Sequence, residues 1–339
     1  MVTSHSRWFL LTACGGGSSG PSGIPGVSGP ATTVPSPAAI WPMRGIAAQD
    51  LTTIKRRPLV VKVANDPASR PQTGLNQADL IIEIPVEGNI TRLAVVFHSQ
   101  EPARVGPVRS ARQSDLNYLS TLNAILVHVG ASETVAQMVR EAAKSGAFVD
   151  VDEFQHPEAF ERTTDKPAPY NTYTSGAKVR EAAGPAGRES VEVPALPFER
   201  NTKDAATTDK SADSIVIPYP LDSQRVKYDW NDRGGYKRTQ GGQPTTDGGK
   251  DVVPNNVVII KTDVKEIPGT ADAAGAPSVD FRATGTGPLV VFTRGKRFEG
   301  TWSRQGTEMY TFADASGKTI ALLEGLTWIH IVPTTFDIQ

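Results

Sequence analysis

Cysteine is nearly absent. The single one, Cys14, excludes an intramolecular disulfide, and the body from residue 45 to 339 holds no thiol nucleophile, iron–sulfur cluster or Cys-rich zinc site. Long apolar runs are missing as well, and no stretch approaches the ~18–20 residues of a membrane-spanning helix. There is no basic excess: 35 Lys and Arg stand against 36 Asp and Glu, which argues against a nucleic-acid partner. The histidines His5, His98, His156 and His330 show no metal-ligand spacing, and no Gly-rich phosphate loop follows a strand. Neither a metal nor a cofactor is expected.

Proline and glycine are plentiful, at 26 and 31 residues in a chain of 339. That length accommodates two domains of ~100–200 residues each, and the composition fits a loop-rich globular protein with a disordered tether. The N-terminus supplies the tether. Residues 7–14 read RWFLLTAC: a basic residue, a short apolar run, then Leu11-Thr12-Ala13-Cys14. The tetrad resembles a bacterial lipobox, in which small residues admit the peptide to a narrow peptidase site and the cysteine sulfur carries diacylglycerol. Two or three acyl chains, at ~0.8 kcal/mol per buried methylene, hold a protein durably on a membrane. The apolar core, Trp8–Leu11, falls short of the ~7–15 residues of a signal peptide, which places the true start codon upstream. From Gly15 to Met43 no residue is charged. Such a Gly/Ser/Pro segment has too little apolar surface to fold.

The body changes character along its length. PLVVKVAND (58–66), ADLIIEIPVEG (78–88), TRLAVVFHS (91–99) and AILVHVG (124–130) read as strands, the second and third joined by a Gly88-Asn89 turn. Ser110, Ser132 and Ser175 are placed to cap helices, the first running to about Leu122, the second ending before Gly146 and the third running to about Ala183. Beyond a break rich in Pro, Gly, Thr and charge, nearly every apolar run is strand-like and separated from the next by turn residues. The expected class is α+β: an N-terminal mixed α/β sandwich domain followed by a mainly β C-terminal domain. The expected organisation is a lipoprotein signal over 1–14, a tether over 15–45, the α/β domain over 46–184, a linker over 185–213 and the β-rich domain over 214–339.

The long polar motifs carry a resemblance. ANDPASRPQTGLNQADLIIEIPVEGNITRLAVVFHS, RVGPVRSAR and ILVHVGAS are similar to the N-terminal domain of the YerB-like lipoproteins of Gram-positive bacteria, a family of unknown function with N- and C-terminal halves. KPAPYNTYTS (166–175) and GYKRTQGGQP (235–244) match its KAPHN-type and YxR-type segments, and GTWSRQ and LEGLTWIHIVP its close. Two positions depart from it. Tyr170 stands where the Pro-His-Asn motif has histidine, and Thr245 where the Pro-His-x-Asp motif has one. The resemblance implies location and architecture and no reaction.

Candidate chemistry centres on Glu83, Glu87, Arg92, Arg109, Ser110, Arg112 and His128. Asp79, Glu83 and Glu87 share one strand face, but four residues of strand rise ~13 Å, too far for the paired carboxylates of a glycosidase unless Pro85 bends the strand. Arg104, Arg109 and Arg112 gather at the expected helix start, where the macrodipole alone disfavours cations. They pair either with Glu83 or Glu87 or with an external phosphate or carboxylate. Gly130-Ala131-Ser132 reads as a helix cap more readily than as a nucleophile elbow, and His128, in an apolar strand, as a hydrogen-bonded core residue.

The favoured reading is therefore a membrane-tethered extracytoplasmic lipoprotein, non-catalytic, with the membrane as one partner through lipid on Cys14 and a cell-envelope protein or cell-wall component as the other. A cell-wall hydrolase or transferase built on Glu87, Arg92, Arg109 and His128 is the alternative. A solute receptor would need two similar lobes, against which the β-rich second half argues. Limited proteolysis is expected to remove residues before about 45 first, a segment without a core, and to spare ADLIIEIPVEG. Early cleavage inside that strand with the tether intact would contradict this map.

Overall fold

Apart from Lys62 and Glu83, LVVKVA and LIIEI are apolar at consecutive positions, a pattern suited to strands buried on both faces. Both become inner strands of one large sheet. The computed structural model describes residues 39–268, 270 and 275–339, and Ala38–Gln339 form one compact unit. The lipobox and most of the tether lie outside the described residues. The N-terminal half supplies β1 (Leu59–Ala64), β2 (Leu80–Pro85), β3 (Thr91–Phe97), β4 (Ile125–His128) and β5 (Val149–Asp152), with a small hairpin of β6 (Phe160–Arg162) and β7 (Thr172–Thr174). Its helices are α1 (Leu116–Leu122), α2 (Glu133–Ala143) and α3 (Gly176–Ala182). The C-terminal half runs through β8 (Ser214–Ile217), β9 (Val226–Asn231), β10 (Gly235–Gln240), β11 (Gln243–Pro244), β12 (Thr246–Asp247), β13 (Lys250–Asp251) and β14 (Asn256–Thr262). It continues with β15 (Val264–Glu266), β16 (Val279–Phe281), β17 (Gly285–Thr293), β18 (Lys296–Arg304), β19 (Thr311–Asp314) and β20 (Thr327–Pro333). The mixed first half and mainly β second half are as the sequence leads one to expect.

The two halves share a single ten-stranded sheet, in the order β19-β18-β17-β14-β20-β2-β3-β1-β4-β5. The seam lies between β2 and β20, which pair in parallel from Leu80 opposite Thr327 to Glu83 opposite His330. Alternation along each strand sorts the side chains onto two faces. One face carries Val60, Leu80, Ile82, Ala94, Val96 and Leu126, and packs Leu119 and Leu122 of α1 and Val135 and Val139 of α2. The opposite face carries Leu59, Val61, Val63, Ile81, Leu93 and Val95 against Val179 of α3. In the C-terminal half that face is covered by a second sheet, β11-β10-β9-β8, whose Ile215, Ile217, Tyr228 and Tyr236 meet Val257, Ile259, Val290 and Phe292.

Ser132 and Ser175 cap α2 and α3, accepting from Val135 N–H at 3.5 Å and Lys178 N–H at 3.4 Å. Ser110 caps nothing. The chain stays extended to Arg112, a 3-10 turn spans Gln113–Asp115, and the Asp115 carboxylate closes it by accepting from Arg112 N–H at 2.8 Å. An acidic residue three positions on serves the N–H that a serine was expected to serve. Two further expectations shift. Ile40 bridges Ala47 and Met43 is fully buried, so the chain is already packed before residue 45. The stretch between the halves also packs, with Leu196, Phe198 and Ala206 buried in the main core.

One buried ion pair ties the halves together. Arg238 of β10 donates to Glu83 of β2 at 2.9 Å, and the side chains are 1% and 0% exposed. Breaking a buried pair strands a charge in a dry site, at a cost of about 3–5 kcal/mol. Arg238→Ala is therefore expected to lose that much stability in urea unfolding. Glu83→Leu combined with Arg238→Met, which removes both charges, is expected to lose less than Arg238→Ala alone. A loss below about 1 kcal/mol for Arg238→Ala would show that the pair is not closed off from water.

Candidate functional site

The carboxyl ends of β1, β2, β4, β5 and β20 point to one edge of the sheet, and antiparallel β3 begins there. That edge is where open α/β sheets hold ligands. Here β1 and β4 part company after Val61 and Val127, and the segment 107–111 fills the gap. Ala64 N–H donates to Pro107 O at 2.9 Å, Arg109 N–H to Lys62 O at 2.8 Å, Val129 N–H to Arg109 O at 3.0 Å and Ala111 N–H to Gly130 O at 3.0 Å. Arg109 and Arg112 are thereby carried to the edge by main-chain bonds on both sides.

Glu83 and Arg92, close in sequence, lie on opposite faces. Ile84 faces Arg92 in the register, so Glu83 and Arg92 are out of phase by one residue. On the α1 face, Lys62, Arg92, Arg109 and Arg112 gather with Asp66, Glu87 and Asp115. Lys62 Nζ donates to Asp115 Oδ1 at 2.5 Å, both side chains fully buried. Burial drives the Lys62 ammonium down to about 8, against the Asp115 charge, with Arg92 and Arg112 adding repulsion. Arg112 Nε donates to Glu87 Oε2 at 2.8 Å. Arg92 is 1% exposed, and its nearest carboxylate oxygen is Asp66 Oδ2 at 4.0 Å. Its Nε and Nη1 have no hydrogen-bond partner. Burial first, then the neighbouring Arg112 charge, lowers the Arg92 guanidinium to about 10. Arg109 is partly exposed and lies over the Tyr170 ring at 5.5 Å, and its buried Nε is likewise unpartnered.

On the other face Glu83 anchors a closed network. Beyond Arg238, it accepts from Trp328 Nε1 at 2.9 Å, Thr91 Oγ1 at 2.7 Å and Asn65 Nδ2 at 3.2 Å. Burial acts to raise the carboxyl; the Arg238 charge and the Thr91 and Trp328 hydrogen bonds outweigh it and hold it below its ordinary value. Arg238 also donates to Thr245 Oγ1 at 2.7 Å and Gln240 Oε1 at 3.1 Å, and its guanidinium lies 4.4 Å from the Trp328 ring centroid. His330 is held between Tyr228 OH at 2.7 Å and Tyr219 OH at 3.1 Å. A cleft of about 390 Å³ flanks this network and is lined in part by Arg70, Gln72, Ser223, Gln240 and Thr245.

The structure thus joins Glu87, Arg92, Arg109 and Arg112 as the sequence suggests, but removes Glu83 to Arg238. Nothing near Glu83 in sequence could have announced a partner 155 residues away. Lys62, Asp66, Asp115 and Tyr118 were also missed. Lys62 in an otherwise apolar strand was the available signal, since a buried lysine demands a partner. Ser110 sits at the edge, partly exposed. His128 stands apart, 1% exposed, with Nδ1 2.9 Å from Gly130 O and Nε2 2.8 Å from Asp150 Oδ1. Gly130 permits this turn, with φ +59° and the Phe154 ring where a Cβ would go. The two departures noted in the motifs fall on the two clusters: Tyr170 beside Arg109, Thr245 beside Arg238.

Two family models match this arrangement, the N-terminal domain of DUF3048, a protein of unknown function, over residues 44–189, and its C-terminal domain over 215–329. The chain belongs to the DUF3048 family. It is 31% identical over 297 residues to the protein named "Putative lipoprotein YerB" of Bacillus subtilis (strain 168), covering 86% of each chain. The crystal structure of YerB from Bacillus subtilis superposes with a TM-score of 0.75 at 29% identity, covering 89% of this chain and 99% of that one.

The histidines give opposite pH signatures. His330, lowered to about 4 chiefly by burial, is neutral when folded, so its share of stability is lost as pH falls from 6.5 towards 4. At ~1.36 kcal/mol per unit that loss is about 3 kcal/mol. Burial opposes the charge on His128 also, but the Asp150 hydrogen bond and the Asp150 and Asp152 charges outweigh it and raise the group. Its contribution is complete below 6.5 and fades as pH rises through the raised value. Unfolding from pH 4 to 8 is expected to show His330→Gln flattening the acid limb and His128→Gln the neutral limb. Unchanged limbs in both variants would refute these assignments.

Proposed function

We propose that this chain is a lipoprotein held on the extracytoplasmic face of the cell membrane by lipid on Cys14, and that its body binds a cell-envelope protein or cell-wall component without catalysing a reaction. The observation that carries the non-catalytic part is the fate of the acids. Glu83 is bound by Arg238, Trp328 and Thr91, Glu87 by Arg112, and Asp79 by the N–H groups of His98 and Ser99 at 2.6 Å each. His128, the base of a wall hydrolase on the same residues, faces a carbonyl and a carboxylate that both want its protons. A general acid or base needs a proton free to exchange with substrate, and these groups are already committed. The lipid reading rests on LTAC and the uncharged segment after it, and the name of the Bacillus relative supports it. Among the described residues no helix is long and apolar enough to cross a membrane.

Expressed with a complete export signal, the protein is expected to sediment with membranes, and Cys14→Ala to release it to the soluble fraction. Equal membrane recovery of both forms would end the lipoprotein reading. Crosslinking in intact cells, followed by identification of the captured species, tests the binding role. Capture of no envelope protein or glycan would count against it.

A further inference from the structure

The basic cluster at the sheet edge holds one more cation than it holds carboxylates. Four cations, Lys62, Arg92, Arg109 and Arg112, face three carboxylates, Asp66, Glu87 and Asp115. Lys62 and Arg112 are each matched in a close pair, with Asp115 and Glu87. That leaves Arg92 and Arg109 with Asp66, which stands 4.0 Å from Arg92 with its buried Oδ2 unbonded. A fully buried guanidinium normally has its donors satisfied, because each unpaired donor costs on the order of 1–3 kcal/mol. Arg92 leaves two unsatisfied, Arg109 one, on side chains that share one neighbourhood.

We propose that this cluster is a binding site for a single monoanionic oxyanion, a phosphodiester or carboxylate group borne by the envelope ligand. The proposal rests on the binding-module reading above and names the chemistry of its ligand. The excess of one positive charge matches a monoanion, and Arg92 Nε and Nη1 offer two donors of the planar fork that oxyanions accept in pairs. The cluster grades outward: Arg92 is buried, while Arg109, Tyr170 and Asp66 are partly exposed. A group entering past Arg109 and Tyr170 reaches Arg92 by displacing Asp66, whose ion pair is the loosest in the cluster and whose other partner is the Tyr170 hydroxyl. The Tyr170 ring lies 5.5 Å from the Arg109 guanidinium, and the buried Nε of that guanidinium has no partner in the fold. Arg92 is already packed inside the fold, so little is lost in ordering its fork.

The purified full chain is titrated calorimetrically with dimethyl phosphate and separately with acetate, at ionic strength held constant with chloride. Binding of either probe with a Kd in the millimolar range or tighter supports the site, and the tighter probe tells the phosphodiester source from the carboxylate source. Arg109→Gln, a partly exposed side chain without a carboxylate partner among the described residues, is expected to fold with an unchanged Tm and to weaken binding at least tenfold. Arg92→Lys keeps the charge, removes the fork and should weaken it similarly, whereas Arg104→Gln, whose partner is Glu161, should not. No binding of either probe, or equal binding by wild type and Arg109→Gln, overturns the proposal. Membrane fractionation and crosslinking read the lipoprotein and binding roles separately, so that reading survives a failure here and the reverse.

Discussion

A carboxylate taken wholly out of water must find an opposite charge and enough donors for its lone pairs, or it will not stay ionised. Glu83 finds all of them, and the way it does so organises the molecule. Arg238 reaches it from the second sheet, Trp328 from the last strand, Thr91 and Asn65 from its own half. Each group comes from a different stretch of chain. The network can therefore form only when β2, β20 and the β8–β11 sheet are all in place, and it adds to the apolar contacts in fixing their register. Buried polar groups of this kind favour one arrangement over its near neighbours more than they add stability.

The sheet also acts as a partition. The two-residue period of a strand sends Glu83 to one side and Arg92 to the other, although the chain between them is a short turn. The acid on one face is fully matched. The bases on the other are in excess and in part unbonded. Had β3 slipped by one residue against β2, Arg92 would meet Glu83 and both polar clusters would collapse into one ion pair. The apolar positions forbid that slip, because Leu93, Val95 and Phe97 on one face and Ala94 and Val96 on the other each have a core to fill.

Most of the strands were legible, because β1, β2, β14 and β20 are strongly apolar and the turns between the others carry glycine or asparagine. The caps at Ser132 and Ser175 were legible for the same local reasons. The Arg112–Glu87 pair was within reach, since both residues stand out in polar motifs a short distance apart. The Glu83–Arg238 pair was not, since strand pairing between distant segments leaves no periodic trace in either. Nor was the plug at 107–111, where Pro107 and Ser110 look like a helix start and instead lie extended between β1 and β4. Position 112 shows the physical reason. Its N–H is taken by Asp115, so the helical turn starts after the arginines rather than before them.

The place of β20 has a consequence for the order of folding. Thr327–Pro333 follow every other described strand in the sequence yet occupy an inner position of the sheet, parallel to β14 on one side and β2 on the other. Until they arrive, the N-terminal half presents β2 as an open edge, and the C-terminal half presents β14. Neither half can complete its sheet from local contacts, so the core closes only when segments as far apart as Glu83 and Trp328, 245 residues, have met.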